Sequence, residues 1–161
     1  MRTLGIDPGT ATTGFGVVDE IDNKLSLVEY GCIKTSPKTL MSDRLKEISE
    51  QLTEIIARFD PDTVAVEQLF FTNNAKTAIA VGQARGVILL TAAQAGVKVS
   101  EYTPLQVKQA LTGYGKADKK QIQYMVKTIL KCPEVPKPDD AADAVAIAIT
   151  HLNSRKLKEL K

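Results

Sequence analysis

The chain has 161 residues, 43% of them hydrophobic and 25% charged, with a net charge of +2. That balance fits one globular domain with its own core and excludes disordered, collagen-like and low-complexity classes. Apolar runs break well short of a membrane span, the start lacks a signal-peptide pattern, and Cys32 and Cys132 match no metal-ligand spacing. A reduced, cytoplasmic setting is expected, with both cysteines buried as small hydrophobes.

Residues 3–7 read as a strand, 13–19 as its antiparallel partner and 25–35 as a third, with Asp22-Asn23 as the hairpin turn between the last two. Leu45, Ile48, Leu52, Ile55 and Ile56 recur at helical spacing, which predicts a helix over 43–59 with Ser42 as its N-cap. A short strand follows at 63–67, a helix at 74–95 and a fifth strand at 97–102. Shorter helices are expected at 104–111 and 118–130, and a last one from 139 to past His151. The helix at 75–93 is apolar nearly all round, so it is expected to be buried, within one subunit or against a second. Three hairpin-linked strands form an antiparallel half; two helix-separated strands join it in parallel through right-handed crossovers. The expected architecture is α/β, a five-stranded mixed sheet with helices on both faces. Residues 1–154 form one domain and residues 155–161 a basic tail.

Asp7 ends the first strand, in "GIDPGT", and Glu67 ends the fourth, in "VAVEQ". If those strands are parallel neighbours, both acids project at the same C-terminal sheet edge, where open α/β sheets hold their sites. Alternation puts small Gly5 and Ala65 on the same faces as Asp7 and Glu67, leaving room for a close-packed helix. The last helix opens D-D-A-A-D-A. Asp140 and Asp143 stand three apart on one face, and Asp139 stands four from Asp143, so spacing alone does not exclude it. Converging carboxylates repel unless a hard cation joins them, and Mg²⁺ takes such ligands together with phosphate oxygens. Helix capping and the helix dipole are the rival explanation for the first-turn acids, above all for Asp139.

Between residues 107 and 131 stand six lysines and one acid, Asp118. That segregation suits a surface that grips a polyanion. "DPGT" alone also permits a phosphate loop of an actin-like ATPase. That class needs a second such loop in another lobe, and no other Asp here is followed two residues later by Gly. "GYGKA" lacks P-loop spacing. The one histidine, His151, lies about 12 Å along its helix from Asp143 at 1.5 Å per residue, which argues against hydrolase triads.

"GIDPGTATTGFGVV", "VAVEQLFF" and "DDAADAVAIAITH" resemble the three acidic motifs of the RuvC family of Holliday-junction resolvases. "NNAKTAIAVGQARGVIL" and "YTPLQVKQALTGYGKADKKQIQYMV" resemble the segments between, so the likeness runs in order over residues 1–152. It implies a ribonuclease-H-like fold and a homodimeric endonuclease that makes paired symmetric nicks in four-way DNA junctions. Metal-activated water would attack the phosphodiester, with Mg²⁺, two per subunit, replaceable by Mn²⁺. The family's four acids fall on Asp7, Glu67, Asp140 and Asp143, and Asp139 is extra. Its junction-probing aromatic falls on Phe70, for which core packing is the rival reading, and its DNA-contacting lysines on Lys108 and Lys119. Lys116 and Lys120 belong to the same basic surface. The likeness also implies the RuvA–RuvB branch-migration complex as partner. A related RNA-processing nuclease and a non-catalytic junction-binding protein are the alternatives.

Overall fold

The computed structural model describes residues 1–68 and 74–159, with the side chains of the last helix through residue 155. Strands β1 (Arg2–Asp7), β2 (Thr12–Ile21) and β3 (Lys24–Lys34) form an antiparallel meander. Asp22 and Asn23 both take positive φ, 49° and 63°, the left-handed conformation that a two-residue hairpin turn demands. Helix α1 (Met41–Phe59) leads to β4 (Thr63–Glu67), and α2 (Ala75–Gln94) leads to β5 (Lys98–Tyr102). Helices α3 (Pro104–Thr112), α4 (Lys119–Leu130) and α5 (Asp139–Glu159) complete the chain. The sheet order is β3-β2-β1-β4-β5, with β4 parallel to β1 and β5 parallel to β4. This is the expected five-stranded mixed sheet.

Strand alternation sorts the two cores. Leu4, Ile6, Val17, Val64 and Val66 point to one face and pack on Ile48 and Leu52 of α1 and Ile88 of α2. Val18 and Ala65 point to the other and pack with Val126 of α4 and Val145, Ile149 and Leu152 of α5. Gly5 lies on this second face and holds α5 close. A Cβ there would stand 2.0 Å from the Ala144 carbonyl oxygen. At Gly14 a Cβ would stand 2.0 Å from the Asp140 carbonyl oxygen. The start of α5 therefore touches the sheet backbone to backbone, which no larger residue permits.

Some local expectations need correction. Ser42 is not the cap of α1. Leu40 occupies that position, its carbonyl accepting from Asp43 and Arg44 N–H at 3.1 and 3.0 Å, and no side chain caps the end. Asp43 in the first turn supplies the dipole complement instead. For helix α2, burial within one subunit covers one face only, so the alternative of burial against a second subunit stays open: Ala84, Ile88, Thr91 and Ala92 are inside, while Ile79 is 63% and Leu90 57% exposed. Cys32 and Cys132 are free and half-buried rather than buried. Among the described residues no helix is long and apolar enough to cross a membrane. Helix α5 continues through Glu159, and Arg155 on it donates to Glu20 at 2.9 Å.

Candidate active site

The β1–β4 register pairs Gly5 with Ala65 and Ile6 with Val66. Its next step sets Asp7 beside Glu67 at the C-terminal edge, as the parallel pairing predicts. The turn after Asp7 is tied down from within. Thr13 Oγ1 donates to the Gly9 carbonyl at 2.6 Å, and Thr35 Oγ1 donates to the Thr10 carbonyl at 2.5 Å. The turn's carbonyls are thus spent on the fold, and its side chains stay small beside the acids.

The first turns of α5 bring Asp140 and Asp143 to the same edge. Asp7 feels burial first, then Glu67, Asp143 and Asp140, and these push its carboxyl up to about 8. The contact between the two carboxyls adds to the rise at Asp7 and opposes it at Glu67. Glu67 is itself raised, by burial first and then by Asp143, with the bond from Asp7 and the charge of Lys119 opposing. Asp143 is raised by burial, against the pull of Lys119. Asp7, Glu67 and Asp143 are all held above the ordinary carboxylate range by burial and by neighbouring carboxylates. An all-oxygen donor set under that strain suits a hard divalent cation, which would restore the charges. As the side chains stand, no group of three or more Asp, Glu, His or Cys is already arranged to hold an ion among the described residues. The Lys119 ammonium on Asp143 offsets part of the charge instead.

Lys119, first residue of α4, donates to Asp143 Oδ2 at 3.2 Å and stands 3.2 Å from Asp139 Oδ2. Burial disfavours its charge, but the two carboxylates outweigh burial and raise it. Asp139 is held low by Lys119 and by Gln123, whose Nε2 donates to Asp139 Oδ1 at 3.0 Å. Asp139 thus steers a lysine at the rim. Gln123 carries no motif signal in the sequence, although it shares a helix face with Lys119 four residues earlier. Glu67, Lys108, Lys119 and Asp143 line one cleft of about 240 Å³, floored by Val107 and Ile122. Lys116 and Lys120 are exposed and lie outside that cleft. Phe70, with Leu69 and Phe71, falls outside the described residues. On the other flank, Gly9, Thr10, Lys76 and Thr77 line a groove of about 570 Å³ that Asp140 closes. Lys76 is a third cation beside the acids, after Lys108 and Lys119, and stands outside the lysine-rich segment of the sequence.

A surface hollow of about 1020 Å³ lies at the opposite sheet edge between Met1, Pro61, Gly96 and Arg155. It is far from the acids and has no part in their chemistry. His151 borders it, buried, with Nδ1 2.9 Å from the Tyr102 hydroxyl, a structural pairing.

An antiparallel meander extended by two parallel strands, with acids converging where a helix crosses the sheet, defines a nuclease of the ribonuclease-H-like class. The family model of crossover junction endodeoxyribonuclease RuvC matches residues 3–151. A RuvC from Desulforamulus reducens is 58% identical over 151 residues, 94% of this chain and 93% of that one. The structure of Thermus thermophilus RuvC superposes with a TM-score of 0.90 at 41% identity, covering 98% of this chain and 97% of that one. The same protein in complex with a Holliday junction substrate gives 0.93 at 42%, covering 98% and 96%. The chain belongs to the RuvC family.

Proposed function

We propose that this protein is a Holliday-junction resolvase, an endonuclease that cuts four-way DNA junctions in recombination and repair. The observation that carries the reading is the crowding of Asp7, Glu67, Asp140 and Asp143 at one sheet edge, with Asp7 pushed up to about 8. Such crowding opposes folding and is retained where the charges are used. Asp7 is the central ligand for Mg²⁺, with Glu67, Asp140 and Asp143 completing the sites for two ions per subunit; Mn²⁺ is the substitute. When bound, the ions polarise a phosphodiester oxygen and make water a nucleophile near neutral pH.

The chain's own residues do the rest. Lys108 and Lys119 flank the cleft and neutralise the phosphates entering it, giving salt-sensitive binding with little sequence information. An arriving phosphate competes with Asp139 and Asp143 for the Lys119 ammonium, so the lysine is handed from acid to substrate. Phe70 stacks on an unpaired base at the junction, a contact of about 1–3 kcal/mol. The exposed Ile79 and Leu90 side of α2 supports a homodimer, and two symmetric sites suit paired nicks leaving 5′-phosphate and 3′-hydroxyl ends. Work on chromosomal DNA implies the cytoplasm and, by family likeness, the RuvA–RuvB complex as partner.

The test is Asp7→Asn on a synthetic four-way junction with Mg²⁺. Junction binding is expected to survive and cleavage to fall by about 10³-fold or more. Retained cleavage would remove Asp7 from the metal site. ATP turnover without junction cutting would revive the phosphate-loop reading.

A further inference from the structure

Two exposed tyrosines stand next to the acidic cleft. Tyr114 is 56% and Tyr124 66% exposed. Both line an apolar groove of about 530 Å³ with Thr112, Lys120 and Met125. That groove and the cleft holding Glu67, Lys119 and Asp143 share two wall residues, Ala117 and Asp118, so one runs into the other over the α3–α4 loop.

The loop is built to hold Tyr114 still. Gly113 ends α3 in the left-handed conformation, φ 70°, with its N–H on the Gln109 carbonyl at 2.9 Å. Thr112 Oγ1 accepts from the Tyr114 N–H at 3.1 Å and donates to the Lys108 carbonyl at 2.7 Å, which ties the loop to the last turns of α3. The Ala117 N–H closes on the Tyr114 carbonyl at 3.2 Å. An aromatic ring held out on a fixed backbone loses little entropy on binding. The charge around it is positive. Lys120 lines the groove and Lys116 is exposed on the same loop. The one carboxylate in the wall, Asp118, is exposed and caps α4, accepting from the Gln121 N–H at 2.9 Å.

We infer that Tyr114 and Tyr124, with Lys120, form a second DNA contact that holds the duplex arm leaving the cleft. The tyrosine rings pack on sugars and the lysine neutralises phosphates. DNA is the occupant because the groove continues a cleft already suited to a phosphodiester, and Lys116 and Lys120 outnumber the one carboxylate, Asp118. The inference rests on the resolvase reading and extends it.

Its test measures junction affinity in the Asp7→Asn background, with Tyr114→Ala/Tyr124→Ala and, separately, Lys120→Glu. Each is tried on junctions with long arms and with arms cut to a few base pairs. On long arms, both changes are expected to weaken binding about tenfold or more, and Lys120→Glu to flatten the salt dependence. On short arms, the losses shrink to about twofold. Thermal melts of the variants should match the parent. Unchanged long-arm affinity in variants that melt normally overturns the inference and leaves this face to a protein partner. Equal losses on both junctions overturn it too, by putting the tyrosines at the crossover. If the wild type neither binds nor cuts junctions, the resolvase reading falls first. If it cuts them and the double variant binds like its parent, the arm contact alone falls.

Discussion

Asp7 costs the protein stability when no cation is present. Its folded pKa is raised above the ordinary carboxylate value to about 8, so the folded state holds the proton more tightly than the unfolded chain. Stability from that proton is complete below about pH 4 and is lost as pH rises through about 8. Asp7→Asn is therefore expected to stabilise the protein in EDTA at pH 8. The gain is about 1–3 kcal/mol, less than the whole shift implies because Glu67 and Asp143 share the same crowding with Asp7. A chain this size should melt roughly 2–10 °C higher. Mg²⁺ should raise the wild-type melting point and leave the Asp7→Asn variant nearly unmoved. A variant that melts lower than wild type in EDTA would contradict this account of the crowded acids. Asp7 and Glu67 were legible as a pair in the sequence, since each ends an apolar strand. The role of Asp139 was not. It depends on Lys119 and Gln123, which meet it only because α4 and α5 lie side by side.

Helix α5 sets the site because glycines let it approach the sheet. The side-chain alternation around Gly5 predicted a close-packed helix on that face. The degree of contact, backbone against backbone, emerges only in three dimensions. Gly5→Ala should push the helix outward, since the clash is with the Ala144 carbonyl rather than a movable side chain. We expect a loss of about 3 kcal/mol or more and a melting point roughly 6–12 °C lower. Nuclease activity should fall further than the folded fraction does, because Asp140 and Asp143 move with the helix. The start of α1 makes the opposite prediction. Ser42 reads as a cap but makes no capping bond, so Ser42→Ala should change stability by no more than about 0.5 kcal/mol by denaturant titration. A capping serine would lose about 1 kcal/mol. The misreading has a plain source: a small slippage at a helix end leaves the hydrophobic period untouched.

At the scale of the whole molecule, the exposed side of α2 calls for a partner. Ile79 and Leu90 lie eleven positions apart, three turns along the same helix, and both are more than half exposed. Leu90→Asp should shift the protein from dimer to monomer in sedimentation. It should also turn paired nicks into single, unsynchronised ones on the junction. A monomeric wild type would remove α2 as the interface. The sequence predicted a helix apolar nearly all round. It left open whether one subunit could cover it, because periodicity describes a helix's surface and not what lies against that surface.

Local pattern alone was enough for the alternation of five strands, the order of the helices, the hairpin at Asp22-Asn23 and the pairing of Asp7 with Glu67 at strand ends, while the choice of Asp140 and Asp143 over Asp139 came from the family likeness. The local features follow from periods of two and 3.6 residues and from local turn chemistry, all carried by neighbours along the chain. Three-dimensional packing settled how deeply Asp7, Glu67 and Asp143 are buried beside one another, where Lys119 points and which side of α2 is bare. Each of these is a distance between residues far apart in sequence. Coulomb energy and desolvation depend on such distances, whereas periodicity carries no information about them.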